Sequence, residues 1–393
     1  MSDSNKDKSR HGASNNKALN ELLVELKNEE LLTNYEKDFR SGYSDYSMSQ
    51  FRAPYMITLN NGENWLLFNT TSMRTDRIKG NQWDAFNLRQ LIPDITFAAI
   101  VYPDSTSEKD LIAFEHQRNK YINQKEYSEI DDIISQSELL TLLEEKYMED
   151  VETGRKLDLR GRKFERQIEF IISNSSNMLK WHDTNDSMRL VGVHYDIFKR
   201  IVGAFGLTPA EVIRIDATTD IPKLPSRGNP KADVLVMVTF VDGSTKNYTI
   251  SCKKTTAKLV TVHEYDANAF SDVLDPANDE LRALLNEFQK KPTLSDFGDD
   301  NAKRLSSLLL PHLERLSLWV LGGYGGLGIP NLQWADYIIV NDIKTSEVSI
   351  YSTPDYYNKL LSSGLEGHFG TVFSWTYPSK RRGKRIQLKC RVI

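Results

Sequence analysis

Residues 231–254 read Lys-Ala-Asp-Val-Leu-Val-Met-Val-Thr-Phe-Val-Asp-Gly-Ser-Thr-Lys-Asn-Tyr-Thr-Ile-Ser-Cys-Lys-Lys. Two β-rich runs, 232–241 and 244–252, flank Asp242-Gly243. Asp-Gly between such runs predicts a hairpin, because both turn positions tolerate positive φ. Asp233 opens the first run, and Ser251, Cys252 and Lys253 end the second. Period-two alternation puts Ser251 and Lys253 on one face of the strand and Cys252 on the other. A carboxylate and an ammonium can then meet at one end of a two-stranded ribbon. Phosphodiester hydrolysis needs an acid that holds a divalent cation and a lysine that steadies an attacking water. An exposed hairpin with an ordinary surface Asp and Lys fits the pattern alone at least as well.

Working outward, the chain has 393 residues, which predicts two domains. Its net charge of −4 gives no global sign of a polyanion partner. The local distribution does, since 378–393 holds Lys380, Arg381, Arg382, Lys384, Arg385, Lys389 and Arg391 without an acid. A basic patch on an otherwise acidic protein suggests a face for phosphate. The two cysteines, Cys252 and Cys390, sit in strand-like runs and read as small buried thiols of a reducing compartment. No apolar run approaches membrane length and no secretory signal is visible, so a cytoplasmic protein is expected.

Residues 1–16 are rich in Ser, Asn, Lys and Asp and predict a disordered tail. Residues 17–150 read as an N-terminal accessory domain, a candidate DNA-binding one. It has a helix over 18–39, a hairpin over 55–59 and 65–69, a helix over 83–91 and a buried strand over 94–102. Helices are expected over 108–122 and 130–147. Residues 151–393 form the second domain, with helices over 161–172 and 188–205, a short one after Thr208-Pro209, then the 231–254 hairpin. Helices near 264–274, 278–291, 301–321 and 355–362 follow, with hairpins over 337–351 and 371–392. Strands and helices are mixed rather than alternating, so an α/β chain with mixed sheets, in the α+β manner, is expected.

Gly323-Tyr324-Gly325-Gly326-Leu327-Gly328 formally matches a dinucleotide fingerprint. It follows a helical run with no βαβ unit around it, so it reads as a flexible connection. The histidines show no zinc spacing. In the tail, Gln387 and Lys389 alternate along the last strand, and Thr376 and Ser379 precede the basic loop. Gln and Lys read base edges, whereas Arg381 and Arg382 suit phosphates. A solvated basic hairpin is the plainer alternative. A second cluster, Arg74, Arg77 and Lys79 with Asn81, Gln82 and Trp83, is a further candidate for DNA.

Three stretches carry a resemblance. They are Gly161-Arg162-Lys163-Phe164-Glu165; Gly228 to Asp233 with Ser251-Cys252-Lys253 and His263-Glu264-Tyr265-Asp266; and Phe369-Gly370-Thr371 with Trp375-Thr376-Tyr377 and Gln387-Leu388-Lys389. In this order and spacing the chain, from about 161 to 390, resembles the MspI-type restriction endonucleases of the PD-(D/E)xK nuclease superfamily. The resemblance implies a PD-(D/E)xK restriction-endonuclease-like core with an extra N-terminal α/β domain. It also implies a Mg²⁺-dependent enzyme cutting both strands of a short palindromic DNA site. Asp233 falls on the metal-binding Asp, Lys253 on the catalytic Lys and Glu165 on the helix Glu. Ser251 stands where MspI-type enzymes have Asn, and Glu165 or Glu264 would complete the metal shell. Thr261, Thr376, Ser379, Gln387 and Lys389 fall on DNA-contacting positions, which hints at a CCGG-like site. A monomer or homodimer on double-stranded DNA is implied, alongside a cognate DNA methyltransferase. The alternatives are a non-catalytic DNA-binding protein, or a nuclease of modified or damaged DNA with the N-terminal domain as reader.

Overall fold

The computed structural model describes all residues except 1, 43–49, 105–107, 125–127, 149–152, 227, 256–257, 292–294, 343–346, 364–366, 379–380 and 392, and leaves the side chains of 2–9, 153–160 and 255 aside. The chain divides into two units, Met1–Leu159 with Phe170–Val202, and Arg160–Glu169 with Gly203–Ile393. The division does not fall at residue 150. The segment 170–202 packs with the N-terminal unit.

The first unit runs α1 (Ser2–Asn28), β1 (Asn34–Ser41), β2 (Phe51–Thr58), β3 (Asn64–Asn69), α2 (Thr75–Leu91), β4 (Ile95–Tyr102), α3 (Glu108–Arg118), β5 (Asp132–Ser135) and α4 (Gln136–Met148). Helix α5 (Thr153–Ser173) contributes to both units, and α6 (Ser175–His182) and most of α7 (Tyr195–Ala204) complete this one. The sheet order is β1-β2-β3-β4-β5, antiparallel through β3 and parallel from β3 to β5. Strand alternation sorts its side chains into two cores. Leu67 and Val101 pack with α1 and α4 through Leu19, Leu23, Leu139 and Leu143. Leu66, Phe68 and Ile100 pack on the other side with Leu88 of α2 and Phe114 of α3.

Four expectations give way here, the first being the helix over 18–39, which ends at Asn28 and is followed by strand β1, paired with β2. The polar tail is helical from Ser2, and two of its later side chains find fixed partners. Ser14 Oγ accepts from Val191 N (2.6 Å) and Asn15 Nδ2 donates to Asn69 Oδ1 (2.7 Å). Residues 132–135 are a strand, since Ile133 and Ile134 pair in parallel with β4 before α4 begins. The helix expected over 188–205 starts only at Tyr195. The buried Asn177 side chain bonds Ile171 O, Val193 O and Val193 N, and so holds the preceding segment extended.

The second unit runs β6 (Val212–Thr218), β7 (Val234–Phe240), β8 (Thr245–Thr255), β9 (Leu259–Tyr265), α8 (Ala267–Leu274), α9 (Asp279–Lys290), α10 (Asp299–Leu309), α11 (Leu313–Gly322), β10 (Tyr337–Asp342), β11 (Glu347–Ser352), α12 (Thr353–Ser362), β12 (Ser374–Thr376) and β13 (Ile386–Arg391). One sheet has the order β11-β10-β8-β7-β6, with β10 parallel to β8 and the other pairs antiparallel. A second, β12-β13-β9, is antiparallel throughout. Leu281, Leu285, Leu305, Leu316, Trp319, Trp375 and Leu388 share one buried cluster beneath it. Thr208-Pro209 leads into strand β6 and not a helix, and 259–265 is strand, because each finds a sheet edge to extend. Pro311 divides the expected 301–321 helix into α10 and α11, since proline cannot donate within a helix. Both five-stranded sheets mix parallel and antiparallel pairs, as the irregular element order predicts. Among the described residues no helix is long and apolar enough to cross a membrane.

Candidate active site

The β7–β8 turn forms as its sequence predicts. Gly243 takes a left-handed φ of +82°, and Asp242 Oδ1 accepts from Ser244 N (2.9 Å). Val234 pairs with Ile250, and Asp233, one residue before β7, donates its N–H to Ile250 O (2.8 Å). The register therefore delivers the Asp233 carboxylate to the end of β8. Its Oδ2 accepts from Ser251 Oγ (3.1 Å) and from Cys252 N (2.7 Å), and Lys253 Nζ stands 3.6 Å away. Ser251 and Lys253 share the face that alternation predicts. The backbone donor at Cys252 is not visible in a sequence, because it depends on β8 running on past the start of β7.

Glu165 enters through α5. Burial first, then the Asp233 and Glu165 carboxylates, push the Cys252 thiol far up, while Lys253 opposes them. Both acids thus act on one buried sulfur at the edge of the Asp233–Lys253 pair. Cys252 stays a neutral thiol and no nucleophile. Cys390 is likewise buried and free.

Lys231 is a residue that sequence reasoning misses, since no local signal marks a lone lysine as internal. Its ammonium is sunk beneath the site, donating to Val262 O (2.6 Å) and Val320 O (2.7 Å). Burial, and then the neighbouring Lys253 charge, push it down to about 7, against the pull of Asp233. Beside it His263 is buried, held well below its usual range by burial and by Lys231, and among the described residues neither ring nitrogen has a hydrogen-bond partner. Its ring is edge-on to Trp319 at 4.1 Å. The glycine-rich loop is no slack connection. A Cβ on Gly322 would lie 2.8 Å from Ala335 O, and one on Gly326 2.3 Å from the Trp319 indole nitrogen, so the turn is packed tightly.

Glu264 lies on β9. It pairs across the sheet with Gln387, and Arg381 Nη1 stands 3.7 Å from its Oε1. Trp375, Leu388 and His263 face inward on adjacent strands, so Thr376, Gln387 and Glu264 form one outward row and Ser374, Lys389 and Thr261 the next. A bulge between Leu388 and Lys389 sets this register. The expected two-stranded ribbon is thus three-stranded. The β12–β13 turn joins two of its strands. Arg381 and Arg382 lie exposed in that turn, and Ser379 falls outside the described residues. Arg74, Arg77 and Lys79 sit at the start of α2 in the first unit, with Arg74 bonded to Asp76.

Among the described residues no three His, Cys, Asp or Glu side chains converge as a ready-made metal cage. Mg²⁺ is commonly held by one or two carboxylates and completed by waters and substrate phosphates. Asp233 and Glu165 are the carboxylates that could hold it.

The family model described as "Restriction endonuclease MspI" matches residues 140–390. Type II restriction enzyme BsuFI of Bacillus subtilis is 27% identical over 406 aligned positions, covering 99% of each chain. Type II restriction enzyme MspI of Moraxella sp is 26% identical over 243 positions, 60% of this chain and 91% of that one. The crystal structure of restriction endonuclease MspI with its cognate DNA superposes with a TM-score of 0.53 and 25% identity, over 64% of this chain and 98% of that one. The first 139 residues, which the MspI family match does not reach, thus fall within the match to BsuFI.

Proposed function

The chain belongs to the MspI restriction endonuclease family and is a type II restriction endonuclease, and we propose that it cuts both strands of double-stranded DNA at a short palindromic, C/G-rich site of the CCGG kind by Mg²⁺-dependent hydrolysis. The observation that carries this chemistry is the meeting of Asp233 and Lys253 at one end of the β7–β8 hairpin. Ser251 Oγ and the Cys252 N–H orient the Asp233 carboxylate through Oδ2. Asp233 and Glu165 would hold Mg²⁺, which supplies positive charge at the scissile phosphate and lowers the pKa of a nearby water. Lys253 positions that water for attack and carries the charge that Asp233 steadies. A cytosine methyltransferase acting on the same site would protect the DNA of the cell.

The test is a digest of plasmid DNA with Mg²⁺ and with EDTA. Discrete, Mg²⁺-dependent bands whose ends map to one palindrome are expected. A smear would replace the fixed site by nonspecific cutting. No cleavage would leave a DNA-binding protein on a nuclease fold.

Ser251 offers a check independent of turnover. It is 2% exposed and 3.1 Å from Asp233 Oδ2. Ser251→Asp forces two carboxylates together, which without a cation costs about 2–4 kcal/mol through like charge and desolvation. Its melting temperature should fall in EDTA and recover with Mg²⁺ by more than the wild-type chain gains. Equal Mg²⁺ responses in both proteins would remove the cation from this position.

A further inference from the structure

The first unit contains a cleft of about 850 Å³ that nothing in the catalytic chemistry uses. Five cations line it: Arg74, Arg77, Lys180, Arg189 and Lys199. They come from the start of α2, from α6, from the loop before α7 and from α7 itself. A border at residue 150 would scatter them between two domains, and only the packing of 170–202 with the first unit assembles them. Asp110, Asp186 and Asp196 line the same cleft, so cations exceed acids. Burial, and the neighbouring Asp104, push Asp196 up, which weakens that opposition.

Arg77, Arg189 and Lys199 are exposed, and among the described residues none of them makes a salt bridge. Helix α2 begins here with Arg74 as its cap residue, and Arg74 is itself paired with Asp76, so the unpaired charge of the cleft rests on Arg77, Arg189 and Lys199. Lys180 is fixed by donating to Leu190 O and lies 5.1 Å over the Tyr195 ring. Tyr195 stacks on Phe198 and is covered by Lys180, so its ring offers no open face to a base. Cations spread over the cleft without a base platform match a run of phosphates better than a single nucleotide.

We propose that this cleft grips the sugar–phosphate backbone of DNA without reading its sequence. The proposal rests on the nuclease reading and gives the first unit a role in it. The experiment is equilibrium binding by the full chain, without Mg²⁺, to cognate and scrambled duplexes at several salt concentrations. The Arg77→Glu/Arg189→Glu/Lys199→Glu variant should lose about tenfold or more in affinity at low salt on both duplexes. Its salt slope should fall by about 0.9 for each phosphate the variant no longer neutralises. Its melting temperature should match the wild-type chain. An Arg77→Lys/Arg189→Lys variant keeps the charge and should bind nearly normally. Wild-type affinity and slope in the glutamate variant would overturn the proposal, as would a loss confined to the cognate duplex or equal loss in the lysine variant. A tight complex with a nucleoside monophosphate that duplex DNA fails to displace would overturn it too. A chain that binds through these residues yet cuts nothing would keep the proposal and remove the nuclease reading instead.

Discussion

Asp233→Asn and Lys253→Ala are each expected to slow cleavage by about 10²–10⁴-fold while leaving specific DNA binding close to normal. The geometry separates chemistry from folding. Asp233→Ala would strand Ser251 Oγ and the Cys252 N–H, both bonded to Oδ2, and an unsatisfied buried donor costs about 1–3 kcal/mol. Asparagine keeps an oxygen for those donors and removes only the charge, so its loss of rate belongs to the reaction. Lys253→Ala removes an ammonium 3.6 Å from that carboxylate and leaves both β8 donors in place. Single-turnover cleavage of a cognate duplex, with melting curves and binding measured alongside, reads the effect. A Lys253→Ala chain that cuts at near wild-type rate would sink the assignment, whatever its melting temperature.

The parts of this site that are legible in the sequence are those fixed within one hairpin. Asp242-Gly243 marks the turn, alternation puts Ser251 with Lys253, and the short turn sets the register that returns them to Asp233. What stays hidden depends on contacts between distant segments. The end of β9, Glu264 and Tyr265, reads as the start of a helix because the strand's neighbours, β13 and then β12, lie more than a hundred residues on. The resemblance offers Glu264 as an alternative to Glu165 in the metal shell, and the sheet pairs it with Gln387 and sets it 3.7 Å from Arg381. Lys231 gives no signal because the carbonyls that hold it, Val262 and Val320, belong to β9 and α11. The polar first helix likewise draws its order from Asn69 and Val191, which no local composition reveals.

The outward face of the β12–β13–β9 sheet should carry sequence reading, and the structure narrows which side chains test it. Thr376 Oγ1 donates to Gln387 Oε1 (3.3 Å), which leaves the Gln387 amide N–H₂ to donate to the acceptors of a guanine edge. Lys389 follows in the next outward row beside Thr261. Gln387→Ala and Lys389→Ala should each cost about 1–3 kcal/mol on the cognate duplex and little on a scrambled one. Arg382→Ala should do the reverse, weakening both duplexes alike and lowering the salt slope by about 0.9, because binding a phosphate releases counterions without reading bases. Arg381 is a poorer probe, since its removal also frees the Glu264 carboxylate it faces. Affinities for both duplexes at several salt concentrations distinguish the two roles. If Gln387→Ala and Lys389→Ala weaken both duplexes equally, the sheet is an electrostatic grip, and base reading must come from elsewhere in the chain.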